Sequence, residues 1–143
     1  MMAHAKVLMA AALVFGGAVA CSDVTGNNVD AQGSFFLETV NGQQVPYSFT
    51  DNNGNQVVVQ GDQYSLNGDG TYNDLQTSRV NGVAQSGTEF GTWTQSNNTI
   101  FFQPSQSDFG LVPYQATVRN SSQFNGSRTM TISLNGSTAV YSD

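Results

Sequence analysis

Asn-Gly pairs stand at positions 41, 53, 67, 81, 125 and 135, separating runs rich in valine, threonine and aromatic residues. Both residues tolerate positive φ, which the two central positions of a type I′ hairpin require, so each pair between β-rich runs marks a hairpin. The first four pairs lie 12, 14 and 14 residues apart. One strand plus one tight turn fills that interval. A parallel sheet would need crossover helices, and no window after Gly33 carries a helical stripe.

The runs predict strands over residues 34–40, 45–50, 56–66 with a bend near Gly61-Asp62, 71–80, 84–95, 99–104, 112–119, 128–134 and 138–142. Several alternate cleanly, giving each one buried and one wet face. Met130, Ile132 and Leu134 oppose Thr129, Thr131 and Ser133, while Val112, Tyr114, Ala116 and Val118 oppose Pro113, Gln115, Thr117 and Arg119. Eight or nine antiparallel strands joined by tight turns close as an up-and-down barrel, which is the expected fold; a two-sheet β-sandwich is the alternative, although it usually needs longer connections. A barrel of that size has an interior filled by side chains or just wide enough for one small ligand.

Ahead of this domain, MMAHAKVLMAAALVFGGAVAC places His4 and Lys6 before an apolar run that ends at Cys21. The layout is that of an export signal, and the run is shorter than the ~20 residues a membrane-spanning helix needs. The expected organisation is a helical signal peptide over 1–20, a flexible tether over 21–32 and a β domain over 33–143. Ala18-Val19-Ala20-Cys21 resembles a bacterial lipobox, which implies acylation of Cys21 after cleavage and anchoring in a membrane. Ser22, rather than Asp, implies an outer-membrane address by the same resemblance. Ordinary secretory cleavage after Ala20, giving a soluble secreted or periplasmic protein, is the alternative. A lone cysteine in an exported protein would then have no partner.

Charge narrows the partners. Lys6 belongs to the leader, so the mature chain has three arginines against ten acidic residues and no lysine. Nucleic acid is excluded, because nothing forms a basic stripe to release phosphate counterions. Attraction to anionic head groups is equally disfavoured, so membrane attachment has to come from the lipid.

A family likeness enters with three segments. Tyr64-Ser65-Leu66-Asn67-Gly68-Asp69-Gly70-Thr71-Tyr72, then Gly91-Thr92-Trp93-Thr94 with Asn97-Asn98-Thr99-Ile100-Phe101-Phe102, and the opening 33–42 run resemble the bacterial lipocalin-like domain of lipoproteins. The resemblance implies a barrel in which Trp93 closes one end and a small hydrophobic molecule is held inside. Phe36, Tyr72, Trp93, Phe102 and Tyr114 are the aromatics that could line such a pocket, although each is first a candidate for core packing.

Catalytic chemistry has little to draw on. The only histidine, His4, is in the leader and the only cysteine is the expected lipid site, which removes His-served nucleophiles, lysine Schiff bases and His- or Cys-ligated zinc. Glu38, Asp62, Asp74, Glu89 and Asp108 could supply a glycosidase pair, but are read as solubilising charge on strand faces and loops. Asp51-Asn52-Asn53-Gly54-Asn55 and Asn67-Gly68-Asp69-Gly70-Thr71 place oxygens at alternate positions as a calcium loop does, without its distal Glu; tight-turn chemistry explains both. No cofactor and no metal are expected.

The expected function is therefore that of a membrane-anchored, non-catalytic lipoprotein with a lipocalin-like domain able to bind a small hydrophobic ligand. The alternative is an envelope structural or protein-interaction module, inhibitor-like, with a filled barrel and no ligand. An interior of small residues with an open mouth would favour the first, and one packed with Phe, Tyr and Trp the second.

Overall fold

The computed structural model describes residues 28–121 and 127–143. The expected signal peptide, Cys21 and the Asn125-Gly126 turn lie outside them. Ten strands follow one another: β1 (Gly33–Val40), β2 (Gln43–Gln44), β3 (Tyr47–Thr50), β4 (Gln56–Leu66), β5 (Thr71–Val80), β6 (Val83–Ser96), β7 (Thr99–Ser107), β8 (Tyr114–Asn120), β9 (Arg128–Leu134) and β10 (Ser137–Ser142). Every pairing is antiparallel, and no helix occurs among the described residues. From β4 to β10 each strand pairs with the next; β10 pairs with β1, and β1 returns to β4 through Gly33↔Leu66 to Phe36↔Gln63. Eight strands thus close a barrel, with β2 and β3 as extra short strands, and the sandwich alternative is set aside.

Turn chemistry sets the strand order. At 41–42, 81–82 and 135–136 both Asn and Gly hold positive φ, between 49° and 82°, as a type I′ turn requires. The pairs at 53 and 67 work differently. There Gly54 and Gly70 are the left-handed residues, the turns are closed by Gly54 N–H to Asp51 O and Gly70 N–H to Asn67 O, and the side chains of Asp51 and Asp69 cap the bend.

Proline moves two strand boundaries, because it has no N–H to give the ladder. The expected 45–50 strand is shortened to β3, which starts just after Pro46 and its cis peptide bond, with the separate short β2 ahead of it, and β8 starts at Tyr114, just after Pro113. Val112 is consequently exposed rather than on the inner face of β8. Pro104 does not end β7. It sits at a bulge where Gly91 faces Pro104 and Phe90 faces Gln106, leaving Ser105 as the extra residue, which donates from Oγ to Phe90 O.

The domain starts before position 33. Val29 and Ala31 are buried in the core; Val29 N–H donates to Asn98 Oδ1, Ala31 N–H to Gln95 Oε1, and Arg128 donates to the carbonyls of Asp30 and Gln32. Residues 28–32 of the expected tether are thereby laid against the barrel end that carries the 97–98 turn. The inner core near that end is apolar: Phe35, Leu66, Ile100, Ala116, Val118, Met130 and Ile132.

Candidate functional site

Strand alternation carries polar side chains onto the same inner face. Asp62, Tyr64 and Leu66 point inward from β4, Tyr72, Asp74 and Gln76 from β5, and Glu89 from β6 between two buried glycines. Register then sets Tyr64 beside Asp74 and Asp74 beside Glu89, with Asp62 beside Gln76. Glu89 is 0%, Asp74 1% and Asp62 4% exposed. The expectation that these three acids solubilise the surface is overturned, because closure of the barrel turns their faces inward.

Hydroxyl groups bind two of the buried acids, Glu89 and Asp62. Tyr72 and Tyr114 donate to Glu89 Oε1 at 2.8 and 2.6 Å, and Ser107 Oγ donates to Oε2 at 2.7 Å. The hydroxyls of Tyr64 and Tyr114 share a 2.8 Å hydrogen bond. Tyr141 donates to Asp62 Oδ2 at 2.9 Å. Each such bond offsets part of the several kcal/mol that burying a carboxyl group costs.

The rings fill the space between. Phe102 lies 4.8 Å from Tyr72 and from Tyr114 and 5.4 Å from Tyr64, while Tyr64 meets Tyr141 edge-on at 5.3 Å. These are favourable offset and T-shaped separations. Burial, and after it the negative field of the neighbouring acids, pushes the hydroxyls of Tyr64, Tyr72, Tyr114 and Tyr141 well above the ordinary tyrosine range. The ring of Tyr72 also explains a glycine: a Cβ at Gly91 would sit 2.2 Å from Gln103 O and 2.8 Å from that ring.

Three of the five expected pocket aromatics, Tyr72, Phe102 and Tyr114, therefore meet inside the barrel as packed neighbours. Trp93 lies at the end with the 67–70 turn, half-buried against the core; its indole N–H donates to Asn67 O at 3.0 Å and its backbone N–H to Gly70 O at 2.8 Å. Phe36 points outward, because its neighbour Phe35 takes the inner position opposite Tyr64. Cys21 lies outside the described residues. The acids are the members that residue type alone conceals, although the two-residue spacing of Asp62 from Tyr64 and of Asp74 from Tyr72 puts those two on an apolar face; Glu89, between Gly87 and Gly91, carries no such signal. Glu38 and Asp108 stay local, accepting from Ser142 Oγ and from Thr88 N–H.

No protein-family model and no curated protein sequence matches this chain.

The wall of the barrel parts between β1 and β4. β1 and β4 pair only as far as Phe36↔Gln63; above that, β1 turns to β2 and β4 to β3. A cleft of about 310 Å³ opens there, lined by Phe36, Leu37, Gly61, Asp62, Leu75 and Thr77. The two calcium-like loops use their oxygens internally instead: Asp51 Oδ1 accepts from the N–H groups of Asn53 and Asn55, and Asp69 Oδ1 from Thr71 N–H and Oγ1. These bonds hold both carboxyls below the usual range.

Proposed function

We propose that this chain is an exported lipoprotein whose lipocalin-like, non-catalytic barrel serves as an envelope interaction module, with recognition on its outer surface and no ligand inside. The observation that carries the reading is the interior itself: Phe102 packed between Tyr72 and Tyr114, whose hydroxyls are tied to Glu89. A hydrophobic guest would have to displace these rings and leave buried hydroxyl and carboxyl groups without partners, at about 1–3 kcal/mol each. The barrel is the fold that a lipocalin-like domain requires, but the ligand space is occupied by the chain.

The anchor is supported by the leader and the lipobox-like Ala18-Val19-Ala20-Cys21. Docking of residues 28–32 gives it a geometric consequence. Six residues separate Cys21 from Asn28, and the seven Cα-to-Cα steps span at most about 25 Å when extended. An acylated Cys21 holds the 97–98 end of the barrel within that distance of the bilayer and leaves the opposite rim for an envelope partner.

Native mass spectrometry of the chain extracted from its host membranes tests both parts. The expected mass is that of residues 21–143 plus acyl chains, with no further apolar molecule. An unmodified Cys21 thiol overturns the anchor, and a co-purifying lipid released only on unfolding overturns the filled interior.

A further inference from the structure

Phe90 on β6 is 45% exposed and Phe101 on β7 39%, on the outer wall of the barrel. Alternation fixes their outward aim, because Glu89 and Gly91 face inward on either side of Phe90, and Ile100 and Phe102 on either side of Phe101. Register then surrounds each ring with uncharged hydrogen-bonding side chains. Asn73 and Gln106 stand across from Phe90, and Thr94 and Gln115 across from Phe101. The β7 bulge adds to the rim: beyond buried Pro104 both Ser105 and Gln106 face solvent, and Ser105 Oγ holds Phe90 O at 3.2 Å. Four residues along β6 separate Phe90 from the partner of Phe101, so at about 3.4 Å per residue and about 4.8 Å between strands the two Cα positions stand roughly 14 Å apart. Thr92, opposite Gln103, fills the interval. No charge lies among these positions: β7 carries none, and Asp74 and Glu89, the nearest acids of β5 and β6, are turned inward.

From this pattern we infer that the outer face of β5 to β8 binds an extended neutral glycan of the cellulose or chitin type. The inference deepens the proposed function and rests on its reading that recognition is external. A pyranose ring with equatorial hydroxyls presents an apolar face of axial C–H groups and a polar rim. The face stacks on a phenyl ring, and the rim meets amide and hydroxyl side chains that both donate and accept. Two such ring-and-rim units in line match separate sugars of one chain. Charge complementarity selects the neutral kind: an acidic sugar would give up hydration of its carboxylate with no cation beside either ring to replace it. A protein partner is matched less well, because protein hot spots gather Trp, Tyr and Arg in a desolvated centre, and neither Phe90 nor Phe101 has one of these as a register neighbour.

NMR titration of the full chain with cellotetraose and with chitotetraose tests the site, against glucose and the acidic tetragalacturonate. At least one neutral tetrasaccharide is expected to bind saturably with Kd below about 1 mM, and glucose and tetragalacturonate at least about tenfold more weakly. The shifted resonances should be those of Phe90, Phe101 and their strand neighbours. Phe90→Ala and Phe101→Ala should each lose about fivefold in affinity, whereas Phe36→Ala, which removes an equally exposed ring on β1, should leave it unchanged. Gln106→Leu and Gln115→Leu strip the rims and should also weaken binding, which decides the matter if the alanine variants do not fold. Binding of neither tetrasaccharide, equal affinity for glucose or the acidic chain, a loss as large in Phe36→Ala, or unaltered affinity in the folded Phe90 and Phe101 variants overturns the glycan site and leaves the filled interior standing. Shifts concentrated on Tyr72, Phe102 and Tyr114 would put the sugar inside and overturn the filled interior together with the outer site.

Discussion

Alkali should unfold this barrel abruptly, and the buried tyrosines set how steeply. Tyr64, Tyr72, Tyr114 and Tyr141 have hydroxyl groups pushed upward in the folded state, by burial first and by the nearby acids second. In the unfolded chain they ionise near pH 10. The folded state therefore keeps protons that the unfolded state releases, and the stability they contribute is complete below about pH 10 and lost as pH rises toward the folded values. Each tyrosine removes about 1.4 kcal/mol per pH unit in that window, so four remove roughly 5.5 kcal/mol per unit. A domain holding about 5–15 kcal/mol exhausts it within roughly one to three units above pH 10. Tyrosinate absorbance and far-ultraviolet circular dichroism, followed together through an alkaline titration, are the assay. Absorbance from these four rings should jump in the same cooperative step that destroys the β signal. A smooth rise centred near pH 10 with the β signal intact would refute the burial and hydrogen bonding assigned to the four hydroxyls.

Three substitutions probe the interior by chemical denaturation. Phe102→Ala leaves a void among three rings and should cost about 3–5 kcal/mol; a loss below about 1 kcal/mol would mean that the centre is not packed. Glu89→Ala takes the acceptor from Tyr72, Tyr114 and Ser107 and should cost at least several kcal/mol, at about 1–3 kcal/mol for each stranded hydroxyl, whereas Glu89→Gln keeps a carbonyl oxygen and should cost clearly less. Equal losses for the two would show that the hydroxyls do not depend on this side chain. Gly91→Ala forces a methyl group into Gln103 O and the Tyr72 ring. It should destabilise by more than about 2 kcal/mol through overpacking, and a neutral result would contradict the close approach of β6 and β7.

Much of the architecture was legible because its determinants are local. Asn41-Gly42, Asn81-Gly82 and Asn135-Gly136 specify their turns by backbone preference alone, and the clean alternation of Met130 and Ile132 fixes a face. Other features depend on closure, which no local window contains. Phe35 and Phe36 are adjacent, so alternation says only that one of them faces in; pairing with Tyr64 selects Phe35. The β1 bulge between Leu37 and Thr39 then returns Val40 to the inside. The acids are the clearest case. Asp62, Asp74 and Glu89 carry the residue type of a surface and the spacing of a core, and the hydroxyls that settle the conflict arrive from β5, β7, β8 and β10.

Proton NMR of the tyrosine hydroxyls probes the filled interior most directly. We expect slowly exchanging hydroxyl resonances for Tyr72 and Tyr114, with cross-relaxation to the Phe102 ring and none to water. Rapid exchange with solvent, or cross-peaks from a bound apolar molecule to those rings, would mean that the barrel encloses ligand space instead of a core.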